Sequence, residues 1–138
     1  MIRVAVLFIS DEVSSDKESA GNNSVDKIIS EILAKFNARK VYSSVVREDF
    51  RAIQEELFNV TEKGAADLVL TIGGTGFARK NCVPEATLAV VEKEVPGITE
   101  FMRVETARKY PAVILSRGRA GISKTTLIVN LPDHEEEV

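Results

Sequence analysis

One cysteine, one histidine and no tryptophan occur among the 138 residues of the chain. Cys82 alone cannot close an internal disulfide, so a reducing compartment, the cytoplasm, is the expectation. His134 alone supports neither a histidine-centred triad nor a multi-histidine metal site within one chain. Positive charge is short too. Eighteen Lys and Arg against 21 Asp and Glu leave a formal net charge of −3, without the basic face that general nucleic-acid binding needs. No run approaches the roughly 18 apolar residues of a membrane span. The start "MIRVAVLFIS" shows a strand-like run instead of a signal peptide's three regions. Neither nucleic acid nor a membrane is expected as a partner. Repeats, low-complexity stretches and linkers are missing as well. With 44% hydrophobic residues, 1–138 reads as a single domain with a real core.

What is present alternates in period. "IRVAVLFI" (2–9) is apolar on both parities, as in a strand covered on both faces. After the polar stretch "SDEVSSDKESAGNN", Val25, Ile28, Ile29, Ile32, Leu33 and Phe36 fall at helical spacing behind Asn23 or Ser24 as cap. A strand at 40–46 precedes a helix capped by Asp49 and stopped by Gly64. Residues 67–72 form a third strand. Pro84 opens a helix running to about Lys93, and "ITEFMRVETARKY" makes another after Pro96-Gly97. "AVILS" (112–116) and "TTLIVNL" (125–131) read as two final strands. Only eight residues, 117–124, join them, too few for a parallel crossover, so one of the two is expected to run antiparallel. The expected fold class is α/β: a three-layer α/β/α sandwich around a mostly parallel five-stranded mixed sheet with one antiparallel strand.

In such sheets ligands lie beyond the carboxyl ends of the parallel strands. Three polar segments follow strand ends directly: "SDE" (10–12), "REDF" (47–50) and the loop "GGTG" (73–76). Gly73, Gly74 and Gly76 lack side chains, so their backbone can approach an anion closely. Pro84 and Glu85 begin a helix whose positive dipole end adds to that attraction. Glycines alone indicate a tight turn; between a strand and a helix they indicate anion or nucleotide binding. The loop lacks the dinucleotide spacing G-x-G-x-x-G. "GRAGISKT" (118–125) imitates a P-loop, but Ser123 stands where the second glycine belongs and a strand follows Lys124. Arg117, Arg119 and Lys124 are either phosphate-attracting or simply solvated. Asp11, Glu48 and Asp49 are the carboxylates nearest the edge, with Mg²⁺ beside phosphates as their possible charge. Capping is the competing role of Asp11 and, more strongly, of Asp49. Cys82 reads as structural, since no histidine is placed to activate it.

With these pieces in order, the chain resembles the MoaB/Mog family of molybdenum-cofactor biosynthesis, with relatives in domains of gephyrin and plant molybdopterin adenylyltransferases. The resemblance covers nearly the whole chain, through "VLFISDE", "VVRED", "DLVLTIGGTGF", "VPEAT", "PGITEFMR", "ILSRGRAGI" and "TLIVNLP". Its most specific part is Thr71–Thr87. It implies a homotrimer that binds molybdopterin and ATP, whose active members transfer AMP from Mg·ATP to the pterin phosphate and release pyrophosphate. Other molybdenum-cofactor enzymes are implied as possible partners. Carried onto this chain, the catalytic positions are Glu48, Asp49 and Asn81, with Glu48 and Asp49 also holding metal. The pterin and ATP positions are Ser10, Asp11, Gly73, Gly74, Thr75, Gly76, Phe77, Pro84, Glu85, Ser116, Arg117, Asn130 and Pro132.

The chain also departs from the pattern. Asn81 stands where the family has its catalytic aspartate, keeping the shape and losing the charge. The first loop's aspartate-then-serine-glycine element is blurred to "DKESAGNN". Asp133 replaces a glycine, and "DHEEEV" stands where a closing helix is expected. Two readings stand within the family: an adenylyltransferase, or a protein that holds pterin or nucleotide without adenylylating it. An unrelated nucleotide-binding or flavodoxin-like domain keeps the fold but leaves "GGTGF", "PEAT" and "PGITEFMR" together without a reason.

Overall fold

The computed structural model of the chain describes residues 1–11 and 23–133. Its elements are β1 (Ile2–Ile9), α1 (Asn23–Lys35), β2 (Ala38–Val46), α2 (Phe50–Glu62), β3 (Leu68–Ile72), α3 (Val83–Val90), β4 (Lys93–Glu94), α4 (Pro96–Ala107), a 3₁₀ turn (Pro111–Leu115), β5 (Ala120–Ser123) and β6 (Thr126–Leu131). The strands form one sheet in the order β2-β1-β3-β6-β5-β4.

β1 sits inside the sheet, parallel to β2 on one side and β3 on the other, and β3 is parallel to β6. Its two parities feed two cores, which is why the strand shows no polar alternation. Ala5 and Leu7 pack with Ile53 and Leu57 of α2 and Val83 and Ala86 of α3. Val4, Val6 and Phe8 pack on the other face with Val25, Ile29 and Leu33 of α1. Ile32 and Phe36, though in phase with that stripe, remain exposed. Asp49 caps α2, its carboxylate accepting from the Ala52 N–H at 3.0 Å, and Gly64 at φ +60° follows the helix end. The expectations for the polar stretch after Asp11 and for the acidic end with His134 fall on 12–22 and 134–138, outside the described residues.

The α/β class and the mostly parallel sheet are as expected, with six strands instead of five. The second half differs in detail. Residues 112–116 are not a strand: Pro111, without an N–H for a ladder, starts a 3₁₀ turn in which Val113 is buried while Ile114 and Leu115 stay exposed. The missing strand is β5, inside the segment that reads as a connection. Lys124, at φ +53°, and Thr125 suffice to turn it back into β6. β5 is antiparallel to both β6 and β4, so it is the single reversed strand, and β6 runs with β1 and β3. Its small residues have a steric cause. A Cβ on Gly121 would lie 2.8 Å from both the Lys93 carbonyl and Val91 Cγ1. α3 stops at Val90 because Val91 is already extended (ψ 144°), leading into β4.

Candidate functional site

Because β1, β2, β3 and β6 are parallel, their carboxyl ends share one edge. The register continues past the strands: Ser10 N–H donates to the Val46 carbonyl at 2.9 Å, and Gly73 N–H to that of Leu131 at 2.9 Å. Ser10, Asp11, Glu48, the glycine loop and Pro132 are thereby drawn together. A pocket of about 280 Å³ opens here, with Gly74, Thr75, Gly76 and Asn81 on one wall and Val113, Leu115 and Ser116 on the other. Pro132 and Asp133 line it as well.

The loop's shape depends on two glycines for different reasons. Gly74 has φ +72°, and a Cβ there would run into the Val83 side chain at the start of α3. Gly76 leaves room for Asn81: a Cβ would lie 2.9 Å from Asn81 Oδ1. Asn81 in turn staples the loop. Its Oδ1 accepts from the Ala78 N–H at 3.0 Å, and its Nδ2 donates to Glu48 Oε1. That pairing fixes the amide's orientation, because the oxygen end is already matched to a donor.

Glu48 is joined to Asp11 through its own backbone: its N–H donates to Asp11 Oδ1 at 2.9 Å. Asp11 Oδ2 accepts from Lys80 Nζ at 3.0 Å. The ammonium first, and that N–H second, hold the Asp11 carboxyl below the ordinary aspartate range, while Asp11 raises Lys80. Burial, with the field of Glu48 and other nearby carboxylates, pushes the Cys82 thiol up, against a nucleophilic role. Asp49 is turned toward its helix and lies 3.8 Å from Arg47. Among the described residues no three His, Cys, Asp or Glu side chains are grouped to hold a metal ion. Asp11 and Glu48 supply the hard oxygens that suit Mg²⁺ already carrying phosphate ligands, and do not form an all-protein cage.

Several expected ligand positions have structural partners. Arg117 donates from Nε to the Gly76 carbonyl at 2.8 Å, from Nη2 to that of Asn81 at 2.9 Å, and from Nη1 to Glu85 Oε2 at 2.6 Å. It therefore clamps the loop to the first turn of α3. Arg119 pairs with Glu94 and Lys124 with Glu62, so both are engaged with the surface of the fold. Asn130, 2% exposed, gives Nδ2 to the hydroxyls of Thr71 and Thr87, both at 2.9 Å, and its Oδ1 accepts from the Arg119 N–H at 3.0 Å. Thr75 and Ser116 both line the pocket, and the Ser116 hydroxyl donates to that of Thr75 at 3.5 Å. Pro84 is buried at the start of α3, and Phe77 is largely exposed. Sequence reasoning passed over Lys80, whose signal was one more basic residue in the loop, and over the wall Ala112–Leu115, hidden by its reading as a strand.

The comparisons with known proteins agree with this geometry. The family described as "Probable molybdopterin binding domain" matches residues 5–138. A molybdopterin adenylyltransferase of Helicobacter pylori is 35% identical over 138 residues, covering 99% of this chain and 77% of the relative. The molybdopterin adenylyltransferase of Escherichia coli K12 is 32% identical over 138 residues, covering 99% of this chain and 70% of its own length. Among solved structures, the molybdopterin biosynthesis enzyme MoaB of Thermus thermophilus superposes with a TM-score of 0.85 at 36% identity, covering 99% of this chain and 84% of that one. Sheet order, glycine loop and whole-chain similarity coincide, and the chain belongs to the molybdopterin-binding domain family of MoaB and Mog proteins that serves molybdenum-cofactor biosynthesis.

Proposed function

We propose that the chain is a molybdopterin adenylyltransferase that takes molybdopterin and Mg·ATP as substrates, works in the cytoplasm and assembles as a homotrimer. A phosphate oxygen of the pterin attacks the α-phosphorus of ATP. The bond from that phosphorus to the bridging oxygen breaks, AMP joins the pterin phosphate, and pyrophosphate leaves. No electrons change hands. The single observation that carries this is the pocket between the Gly73–Gly76 loop and the Ala112–Ser116 wall, at the carboxyl edge of the parallel strands.

The protein's part is positioning and charge stabilisation. Gly74 and Gly76 leave the loop backbone uncovered for close approach of phosphates. Thr75 and Ser116, joined through their hydroxyls, are the hydroxyl side chains of the lining. Arg117 and Asn81 hold the loop in one conformation, so its reorganisation does not fall on the reaction step. Magnesium, bound with the nucleotide, would withdraw charge from the phosphates, and Glu48 is the carboxylate for it to meet. Asp49 supports that segment as the cap of α2.

Purified protein incubated with molybdopterin, ATP and Mg²⁺ should yield adenylylated pterin and pyrophosphate in equal amounts. Pterin binding without product overturns the transfer step and leaves a binding protein. Binding of neither ligand overturns the assignment of the pocket.

A further inference from the structure

Asp11 and Glu48, two of the carboxylates at this edge, each already accept a hydrogen bond from the protein. Glu48 Oε1 takes the Asn81 amide nitrogen. Asp11 takes the Glu48 N–H on one oxygen and the Lys80 ammonium on the other. Asn81 cannot turn its oxygen toward Glu48 without abandoning the Ala78 N–H. A divalent cation approaching Glu48 Oε1 thus meets an N–H donor where a second oxygen ligand would be needed. Magnesium and its analogues select clusters of hard, preferably anionic oxygens and give up water reluctantly. A half-charged edge with donors in place does not meet that demand.

We infer that Lys80 neutralises Asp11 and the Asn81 amide occupies Glu48 from within the protein, so that the free protein holds a divalent cation there only weakly and metal enters as the nucleotide's phosphate chelate. The nucleotide comes from the proposed transferase function; the statement about the free protein is independent of it. The key residue is Asn81, because Asn81→Asp exchanges the amide nitrogen for an oxygen at nearly constant shape. Two carboxylates in hydrogen-bond contact cannot both stay ionised without a proton or cation between them. That one substitution therefore turns a hydrogen-bonded amide–carboxylate pair into two facing carboxylates that call for metal.

The test uses Mn²⁺ alone, with neither pterin nor nucleotide, on the full chain. Free Mn²⁺ is followed by electron paramagnetic resonance and the melting temperature by calorimetry. The wild type should bind Mn²⁺ weakly and melt at a temperature indifferent to it. Asn81→Asp should bind at least roughly tenfold more tightly, in the range that a charged ligand or its support contributes, and should gain melting temperature with Mn²⁺. Adding Glu48→Gln should return it to the wild-type level. Lys80→Gln, which frees Asp11, should bind more tightly than the wild type but less than Asn81→Asp. Equal affinity in the wild type and folded Asn81→Asp overturns the inference. If Asn81→Asp does not fold, unchanged affinity in Lys80→Gln overturns it instead. Loss of the transferase assignment would leave these titrations standing, and failed titrations would leave measured adenylyl transfer untouched.

Discussion

Arg117 holds the carbonyl of Asn81 at 2.9 Å, joining the chain after the 3₁₀ turn to the far end of the glycine loop. The same guanidinium holds Gly76 and Glu85, so three fixed acceptors are met by one planar donor set. Arg117→Ala should lower stability by about 1–3 kcal/mol, since it leaves two loop carbonyls without their charged donor. Urea unfolding measures this. Arg117→Lys should recover little, because an ammonium cannot span three acceptors. Both variants should lose pterin affinity, as Gly76 and Asn81 line the pocket. Unaltered unfolding midpoints would remove the clamp from the account.

Asn130 looks like a ligand group in the sequence and is a structural junction in the fold. It ties β6 to Thr71 on β3 and Thr87 on α3 while receiving the Arg119 N–H. Asn130→Leu keeps the bulk and strands these groups in a buried position. The expected cost is about 2–4 kcal/mol, one to two unmet buried hydrogen bonds, read from thermal or urea unfolding. A ligand-only role predicts the opposite pattern, with stability intact and affinity lost.

How much of this was legible in the sequence follows from where the information lies. β1 announces itself, because a strand covered on both faces must be apolar on both parities. Asp49 and Gly64 bracket α2 through local chemistry alone. β5 hides, because "AGIS" has no hydrophobic excess to display: Gly121 is crowded by Lys93 and Val91, contacts made from far back along the chain. "AVIL" misleads for the converse reason. Its apolar side chains suit a strand, but Pro111 directs the backbone into a turn and leaves Ile114 and Leu115 outward. At the site, the glycines and strand ends mark the edge, while the partners of Asn81, Lys80 and Arg117 are tertiary and no local pattern encodes them.

Gly74 gives a sharper test of the loop. Its positive φ of 72° disfavours any side chain, and an added methyl collides with Val83. Gly74→Ala should cost about 1–3 kcal/mol in backbone strain alone, with the clash in addition. Val83→Ala opens a buried hole and should destabilise by itself. Combined, the two should cost less than their sum, since the smaller residue at 83 admits the new methyl. Strict additivity in the double-mutant cycle would show that the two side chains do not meet.

The Asp11–Lys80 pair predicts a pH dependence with a definite sign. Asp11's carboxyl is held below its ordinary value in the folded chain, so its contribution is present above the unfolded carboxylate range. That contribution is lost as pH falls through the lowered folded value. Carboxyl chemical shifts should show Asp11 titrating below an ordinary aspartate. Lys80→Ala removes the leading cause and should move the titration upward toward it. No movement would assign the shift to the Glu48 N–H and the charge of Arg47 instead.

Phe101 and Val104 on α4, with Ile114 and Leu115 on the 3₁₀ turn, are each more than half exposed in the single chain. Four large apolar side chains on two adjoining elements are more than a scatter of surface residues, and such a patch commonly marks a protein contact. In the proposed homotrimer this patch is the surface to be covered, and Leu115 would carry the contact up to the pocket wall. Light scattering of the wild type should then give three times the chain mass. Phe101→Asp and Val104→Asp place a charge in the contact without entering the pocket lining, and should each shift the mass toward the monomer. Their far-ultraviolet circular dichroism should stay native, because neither side chain belongs to the buried core. A wild-type monomer overturns the trimer. A trimer that survives both substitutions moves the contact to another face.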